Sequence, residues 1–504
     1  MAELDAPSPG TRGSGRYPAY HALWHLFEIG VIEDPATFAA PAWVKVETAR
    51  AAPGAPPPTR VALIDTSVAM DHPNLAPAIE GGLALDLFSA RHGAFPRPGP
   101  ALPPELAPAA ARPAPIAAAQ PYLDRLAEGL RAAHAAGQDP APRPGTVFPA
   151  TRASFSAHGT AMAGLIGARP RAAAEVPMVG PTLMDLPGGT PLALPAPAGG
   201  LGFAYAGVDP YCRIVPVSTH FDPEPEQLIL ALLYAWMIRA DLIVLAREVP
   251  APAAVTPPLP GEPADLRERL SARLGVGLAA AEIVGWQVLE ALILEISKTI
   301  PILCAAGNSG EERMAYPASL AAPGNGIIAV GAHASTGQPS AFSAGGTGTP
   351  VTVFAPSGDG ERLDERIARL DPNSAGFRAW EQGSGYAGAI DSVPTTRDIS
   401  ASTYSPLEIV TTDVPGRAGY NGSAFTGLAT EAGAVLDYRS YYCHFSGTSA
   451  ATAIAGGMLS LAMSAGVIPR GQGPLAKELL QGPGVPNAAL ATPKLRWSRI
   501  PGAT

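Results

Sequence analysis

Short aliphatic runs of strand length alternate along this chain with apolar stretches of helical length, and that alternation constrains the fold more than any other feature. Arg60 to Asp65 (RVALID), Arg213 to Ser218 (RIVPVS), Asp241 to Ala246 (DLIVLA), Ile300 to Ala306 (IPILCAA), Gly326 to Val330 (GIIAV) and Val351 to Phe354 (VTVF) read as buried strands. They are brief, rich in Val and Ile, and bounded by turn residues. Tyr122 to Ala136, Pro225 to Ala240, Val276 to Lys298 and Ser449 to Ala465 read as helices. Strands that alternate with helices predict an α/β fold around a mostly parallel sheet, with helices covering it. Residues 17–33 read as a short amphipathic helix that places Leu23, Trp24, Leu26, Phe27 and Ile29 against a core.

Composition explains why the pattern is stretched over 504 residues. Many of the 55 Gly and 57 Pro residues concentrate in a few segments. Pro/Ala-rich loop insertions are therefore expected near 83–150, 170–200 and 360–440, in one domain spanning 60–469. An N-terminal extension (1–59) precedes it, and a C-terminal tail with a short helix (470–504) follows. The net charge of −9 comes without a block of basic residues, which argues against a nucleic-acid partner. Cys212, Cys304 and Cys443 sit among apolar or aromatic neighbours and read as reduced, buried thiols. The most apolar stretch, Val276 to Ile296, is interrupted by Glu282, Glu290 and Glu295, so a buried helix is expected rather than a membrane span. The first residues show no positive region followed by an apolar one, and a cytoplasmic location is expected. The oligomeric state is left open.

Four polar residues stand at strand tips or helix starts. Asp65 closes the RVALI strand, in the crevice where α/β sheets bind ligands. Alone, such an Asp reads equally as a cap or a loop charge. His158 stands in SAHGTAMAGLIGA at the expected start of a small-residue helix, where a lone His is ordinarily structural. Ser449, in FSGTSAATAIAGG, opens an apolar helix whose N-terminal N–H groups suit an oxyanion; alone it reads as a cap. Asn308 ends the IPILCAAG strand, and alone it is a turn Asn. Together they supply a base, an orienting carboxylate, a nucleophile and an oxyanion donor, the parts that acyl transfer by serine needs. The chain order Asp, His, Ser is the one found in subtilisin.

Four segments resemble the subtilase family: VALIDTSVAMDHPNL (61–75), HGTAMAGLIGA (158–168), ILCAAGNSG (302–310) and GTSAATAIAGG (447–457). GVDPYCRIVPV (207–217), YPASL (316–320) and IIAVGA (327–332) support them. The resemblance implies a subtilisin-like three-layer fold and a serine endopeptidase acting on protein or peptide through an acyl-enzyme. It implies Asp65, His158 and Ser449 as the triad, with Asn308 and the Ser449 N–H as the oxyanion hole. No cofactor follows from it. Asn74 stands where some members place a calcium-binding Asp, and no essential metal is expected. His72 is expected to be structural.

The chain also departs from the family. Thr66 is followed by Ser67 where Gly is usual, and Ala453 stands where Pro is usual; retained geometry is expected at both. Where the family commonly carries Ser-Leu-Gly-Gly lining its primary specificity pocket, this chain has Ala246-Arg247-Glu248-Val249. The resemblance thus makes Ala246, Arg247 and Glu248 substrate-binding candidates. Glu248 is expected either to favour a basic P1 residue or to pair with Arg247 and occlude the site. The same stretch supports an alternative, a catalytically weak subtilase fold that acts as a binding or scaffold module. Residues 1–59 are expected to pack on the catalytic domain, with autoprocessing left open.

Overall fold

The computed structural model describes residues 24–33, 39–70, 72, 74–87, 112–135, 154–169, 205–220, 223–249, 261, 268, 280–334, 337, 339–345, 350–358, 409–414, 442–482 and 494–503. In chain order its principal elements are α1 (Trp24–Glu28), α2 (Pro41–Ala51), β1 (Arg60–Asp65), β2 (Leu85–Asp86), α3 (Ala114–Ala118), α4 (Gln120–Ala135) and α5 (Ser154–Gly167). Then come β3 (Arg213–Ser218), α6 (Pro225–Met237), β4 (Leu242–Leu245), α7 (Ala280–Ser297), β5 (Ile302–Ala305), β6 (Ile327–His333), β7 (Val353–Pro356), β8 (Ile409–Thr412), β9 (Tyr442–Phe445), α8 (Gly447–Ser464) and α9 (Gly473–Gln481).

Seven strands form one sheet in the order β2-β3-β1-β4-β5-β6-β7, and every pairing in it is parallel. The strands are short and apolar because helices cover both faces. Their side chains alternate between the two cores. Val61 and Leu63 of β1, Leu242 and Val244 of β4, and Ile328 and Val330 of β6 face the layer that contains α5 and α8. Ala62 and Ile64, Ile243 and Leu245, and Ile327 and Ala329 face the layer that contains α6 and α7. This period of two is the geometry of a pleated strand buried on both sides. Each fully buried Leu or Ile side chain adds about 1.5–3 kcal/mol. The result is the three-layer α/β arrangement expected from the alternation.

Helix α8 explains why Ser449 can be held rigidly. Every residue from Thr448 to Ser464 is buried. An all-round apolar helix belongs inside a large core, and here small residues such as Ala450, Ala451, Ala453 and Ala455 let neighbours approach on all sides. The helix runs unbroken through Ala453, where the family usually has Pro. Its buried hydroxyls are matched: Ser460 and Ser464 donate to Asp209 Oδ2 at 2.6 and 3.1 Å, and Thr59 and Ser464 share a 2.8 Å hydrogen bond.

Over α8 lies a terminal layer. Leu26, Ile29, Val31, Ile32 and Val46 are buried in the same core as α8. The Trp43 indole donates to Val208 O, the Lys45 ammonium to Gly502 O and Ala503 O, and Trp497 N–H to Ile29 O. The C-terminal segment also extends the sheet: Lys494 bridges Phe354 of β7 in parallel, and Leu495 N–H donates to Phe354 O at 2.7 Å. Helix α1 is shorter than the 17–33 expectation, of which 17–23 falls outside the described residues. Helix α2 and strand β8 lack the clear periodicity that would announce them. The expected insertion at 170–200 lies wholly outside the described residues. In the stretch near 83–150 stand α3 and α4, and β8 lies within 360–440.

No helix among the described residues is long and apolar enough to cross a membrane. Cys212, Cys304 and Cys443 are all buried, and no disulfide joins them.

Candidate active site

Asp65 stands at the carboxyl end of β1, in mid-sheet, and is fully buried. Its Oδ1 accepts the Thr66 N–H at 2.6 Å and is 2.7 Å from His158 Nδ1. With a carboxylate as partner, Nδ1 is the ring nitrogen that carries the shared proton, and Nε2 is left to face away from Asp65. Burial pushes the Asp65 carboxyl up. The charge and hydrogen bond of His158, the Arg247 cation and the Thr66 N–H outweigh it and hold the group below the usual carboxylate range.

His158 lies inside α5 rather than at its start, because the helix begins one turn earlier, at Ser154. Three features fix that helix on the Asp65 turn. Gly159 has no room for a side chain, since a Cβ would lie 2.3 Å from Thr66 O. Its N–H donates to Thr66 Oγ1 at 2.9 Å, and Thr160 Oγ1 accepts the Ala69 N–H at 2.9 Å. Beneath, β8 supplies Thr411 and Thr412, whose hydroxyls donate to Ala161 O and Thr160 O. The imidazole meets Phe445 of β9 edge-on, with ring centroids 5.4 Å apart. With Ser67 in place of glycine the turn still packs on α5, since Thr66 itself carries the contact.

Ser449 is the third residue of α8 and is 8% exposed. Its hydroxyl donates to Ala246 O at 3.3 Å. Its N–H belongs to the first helical turn, where backbone donors have no acceptor within the helix. Gly447 precedes it at φ +89°, a left-handed conformation that glycine adopts without strain, and a Cβ there would meet the Asn308 amide at 3.4 Å. Asn308 is exposed at the tip of β5. Its Oδ1 accepts both the N–H and the hydroxyl of Thr448, at 2.8 and 2.9 Å. With the carbonyl end so anchored, the amide nitrogen is left as a donor beside the start of α8.

The loop after β4 joins these groups. β4 pairs with β1 in a register that sets Leu63 against Val244, and continuing it two residues further brings Asp65 beside Ala246. Ala246 is buried and holds the Ser449 hydroxyl. Arg247 is buried too, and its Nη1 lies 3.8 Å from Asp65 Oδ1. Glu248 is exposed. The expected pairing of Arg247 with Glu248 is thus replaced by an inward pairing with Asp65: neighbouring residues on extended backbone point to opposite sides. The sequence shows a charge where glycine is usual, but not which way it turns. Thr66, Thr448 and Phe445 were also missed as site residues, although each adjoins a motif or a strand tip.

Elsewhere, the His72 imidazole accepts the Asn74 N–H at 3.1 Å, and the Asn74 amide donates to Arg169 O and Tyr205 O. Both residues brace the loop after β1.

Residues 284–467 match the family model described as the subtilase family. The match includes Asn308 and Ser449, while Asp65 and His158 lie outside it and are tied to the site by geometry. A comparison with curated proteins finds no match. Among solved structures, the chain is similar to the epidermin leader peptide processing serine protease of Staphylococcus aureus (15% identity, 97% of this chain and 82% of that one, TM-score 0.48). It is similar to a lanthipeptide protease (13% identity, 97% of both chains, TM-score 0.48). It is also similar to the nisin leader peptidase of Lactococcus lactis (13% identity, 94% and 93%, TM-score 0.43). The likeness to the subtilase family thus extends over residues 284–467.

Proposed function

We propose that this chain is a serine endopeptidase that hydrolyses peptide bonds in protein or peptide substrates through an acyl-enzyme. The observation that carries the reading is the 2.7 Å contact between His158 Nδ1 and the buried carboxylate of Asp65. It is joined through Ala246-Arg247 to a serine on the first turn of a buried helix. A substrate lies extended above the carboxyl ends of the strands. The Ser449 hydroxyl turns from Ala246 O to the imidazole and attacks the scissile carbonyl carbon as its proton passes to His158 Nε2. Asp65 keeps the ring oriented and stabilises the cation. The oxyanion takes hydrogen bonds from the Ser449 N–H and the Asn308 amide. Collapse of the tetrahedral species expels the amine, which leaves with the proton from His158. Water then enters by the same route, giving its proton to His158 and its oxygen to the acyl carbon, and Ser449 is restored.

A second reading draws on one observation. A buried guanidinium beside Asp65 dilutes the charge that serves the imidazolium, which would suit a fold kept for binding with little catalysis. A fluorophosphonate probe separates the two. The peptidase reading expects stoichiometric labelling that Ser449→Ala abolishes. A folded protein that takes no label at any pH rules out the peptidase.

A further inference from the structure

The contact between Arg247 and Asp65 has a specific geometry. At 3.8 Å it is a charge pair longer than a hydrogen bond, so Oδ1 keeps its short bonds to His158 and Thr66 while a cation sits alongside. The other oxygen, Oδ2, is buried and accepts no hydrogen bond among the described residues. The carboxylate is therefore compensated largely by charge. Among the described residues, the charged groups that act on it are His158 from α5 and Arg247 from the loop after β4; Thr66, from its own turn, is neutral. Arg247 is only 4% exposed, so solvent and salt screen the pair little.

A triad carboxylate does two separable things. It orients the imidazole through a hydrogen bond, and it stabilises the imidazolium through its charge. Arg247 leaves the first intact and opposes the second, because a fixed positive charge near Asp65 disfavours a second positive charge on the ring. We propose that Arg247 is a positioning residue that tunes the triad: its buried guanidinium shares the Asp65 charge with His158, so that the site works at lower pH than the same triad without it. This inference rests on the peptidase reading. It also assigns Arg247 to the catalytic electrostatics rather than to direct contact with substrate.

The test measures the second-order rate of Ser449 labelling by a fluorophosphonate probe against pH. It uses the full chain and its Arg247→Met, Arg247→Gln and Arg247→Lys variants, with folding checked by circular dichroism. Loss of the cation is expected to move the midpoint of the acid limb upward by on the order of one pH unit. At a fixed pH on that limb, the rate relative to each variant's plateau then falls about tenfold. Arg247→Lys, which keeps the charge, is expected to stay near the parent. A midpoint that is unchanged or lower in a folded uncharged variant overturns the proposal. So does failure of both uncharged variants to fold while Arg247→Lys folds, since Arg247 is then part of the scaffold. A parent protein without Ser449-dependent labelling at any pH overturns the peptidase reading itself, an outcome distinct from an unmoved midpoint.

Discussion

The two faces of the sheet are built from different materials. On one face, α6 and α7 present large aliphatic side chains, among them Leu228, Ile229, Leu232, Leu233, Leu289, Leu292 and Ile293. On the other, α5 and α8 present mainly alanine, glycine, serine and threonine, with Ala161, Ala163, Ala450, Ala451, Ala453 and Ala455 in the core. Large side chains hold helix and sheet apart and contribute burial; small ones bring backbones close. The close-packed face puts helix backbone and short polar side chains within hydrogen-bond reach of the strand ends and of β8. Gly159 against Thr66, and Thr411 and Thr412 against α5, are examples. The candidate site gathers on the face whose helices carry small residues, and helices with large aliphatic side chains cover the other.

Substitutions can break that division. The largest effect is expected from Ser449→Ala, which should lower peptide turnover by on the order of 10⁶-fold and leave the urea unfolding midpoint nearly unchanged. On the aliphatic face, Leu292→Ala should lower stability by about 2–5 kcal/mol. The labelling rate per folded molecule should stay the same, which denaturant titration and probe kinetics on one sample would establish. Asn308→Ala should lower kcat by about 10²–10³-fold with little change in KM, and a much smaller loss would remove its amide from the oxyanion hole.

A smaller effect sharpens the picture of the terminal layer over α8. His25 is fully buried, neither ring nitrogen has a hydrogen-bond partner among the described residues, and burial lowers its pKa to about 3. The unfolded chain therefore binds this proton more readily than the folded one between pH 6.5 and about 3. Stability should fall as pH drops through that window, by up to about 1.4 kcal/mol per pH unit, and level off below it. Replacing His25 with Leu should flatten this slope in denaturation midpoints measured from pH 7 to 4.

The strands were the most legible part of the sequence, because a strand buried on both faces has little choice but Val, Ile, Leu and Ala. Arg60–Asp65 and Arg213–Ser218 emerge with their expected bounds. Strand β2 has two residues, too few to leave a pattern. Helix α2 shows weak periodicity because it buries Ala42 and Val46 while Val44 is 58% exposed. Strands β8 and β9 pair across a long separation in chain, and no local signal links them. At the site, residue types that acyl transfer requires could be named from motif context. The direction of a side chain beyond a strand end, as at Arg247, depends on neighbours that only the folded chain brings near.

The support beneath α5 has a consequence for how the molecule is made. Thr411, whose hydroxyl holds Ala161 O, is 250 residues further along the chain than its partner, and Ser449 comes later still. A ribosome therefore releases Asp65 and His158 long before their brace or Ser449 exists. On the proposed peptidase reading, a half-translated chain contains no cutting machinery, and the order of synthesis itself keeps nascent polypeptide safe from its own hydrolysis.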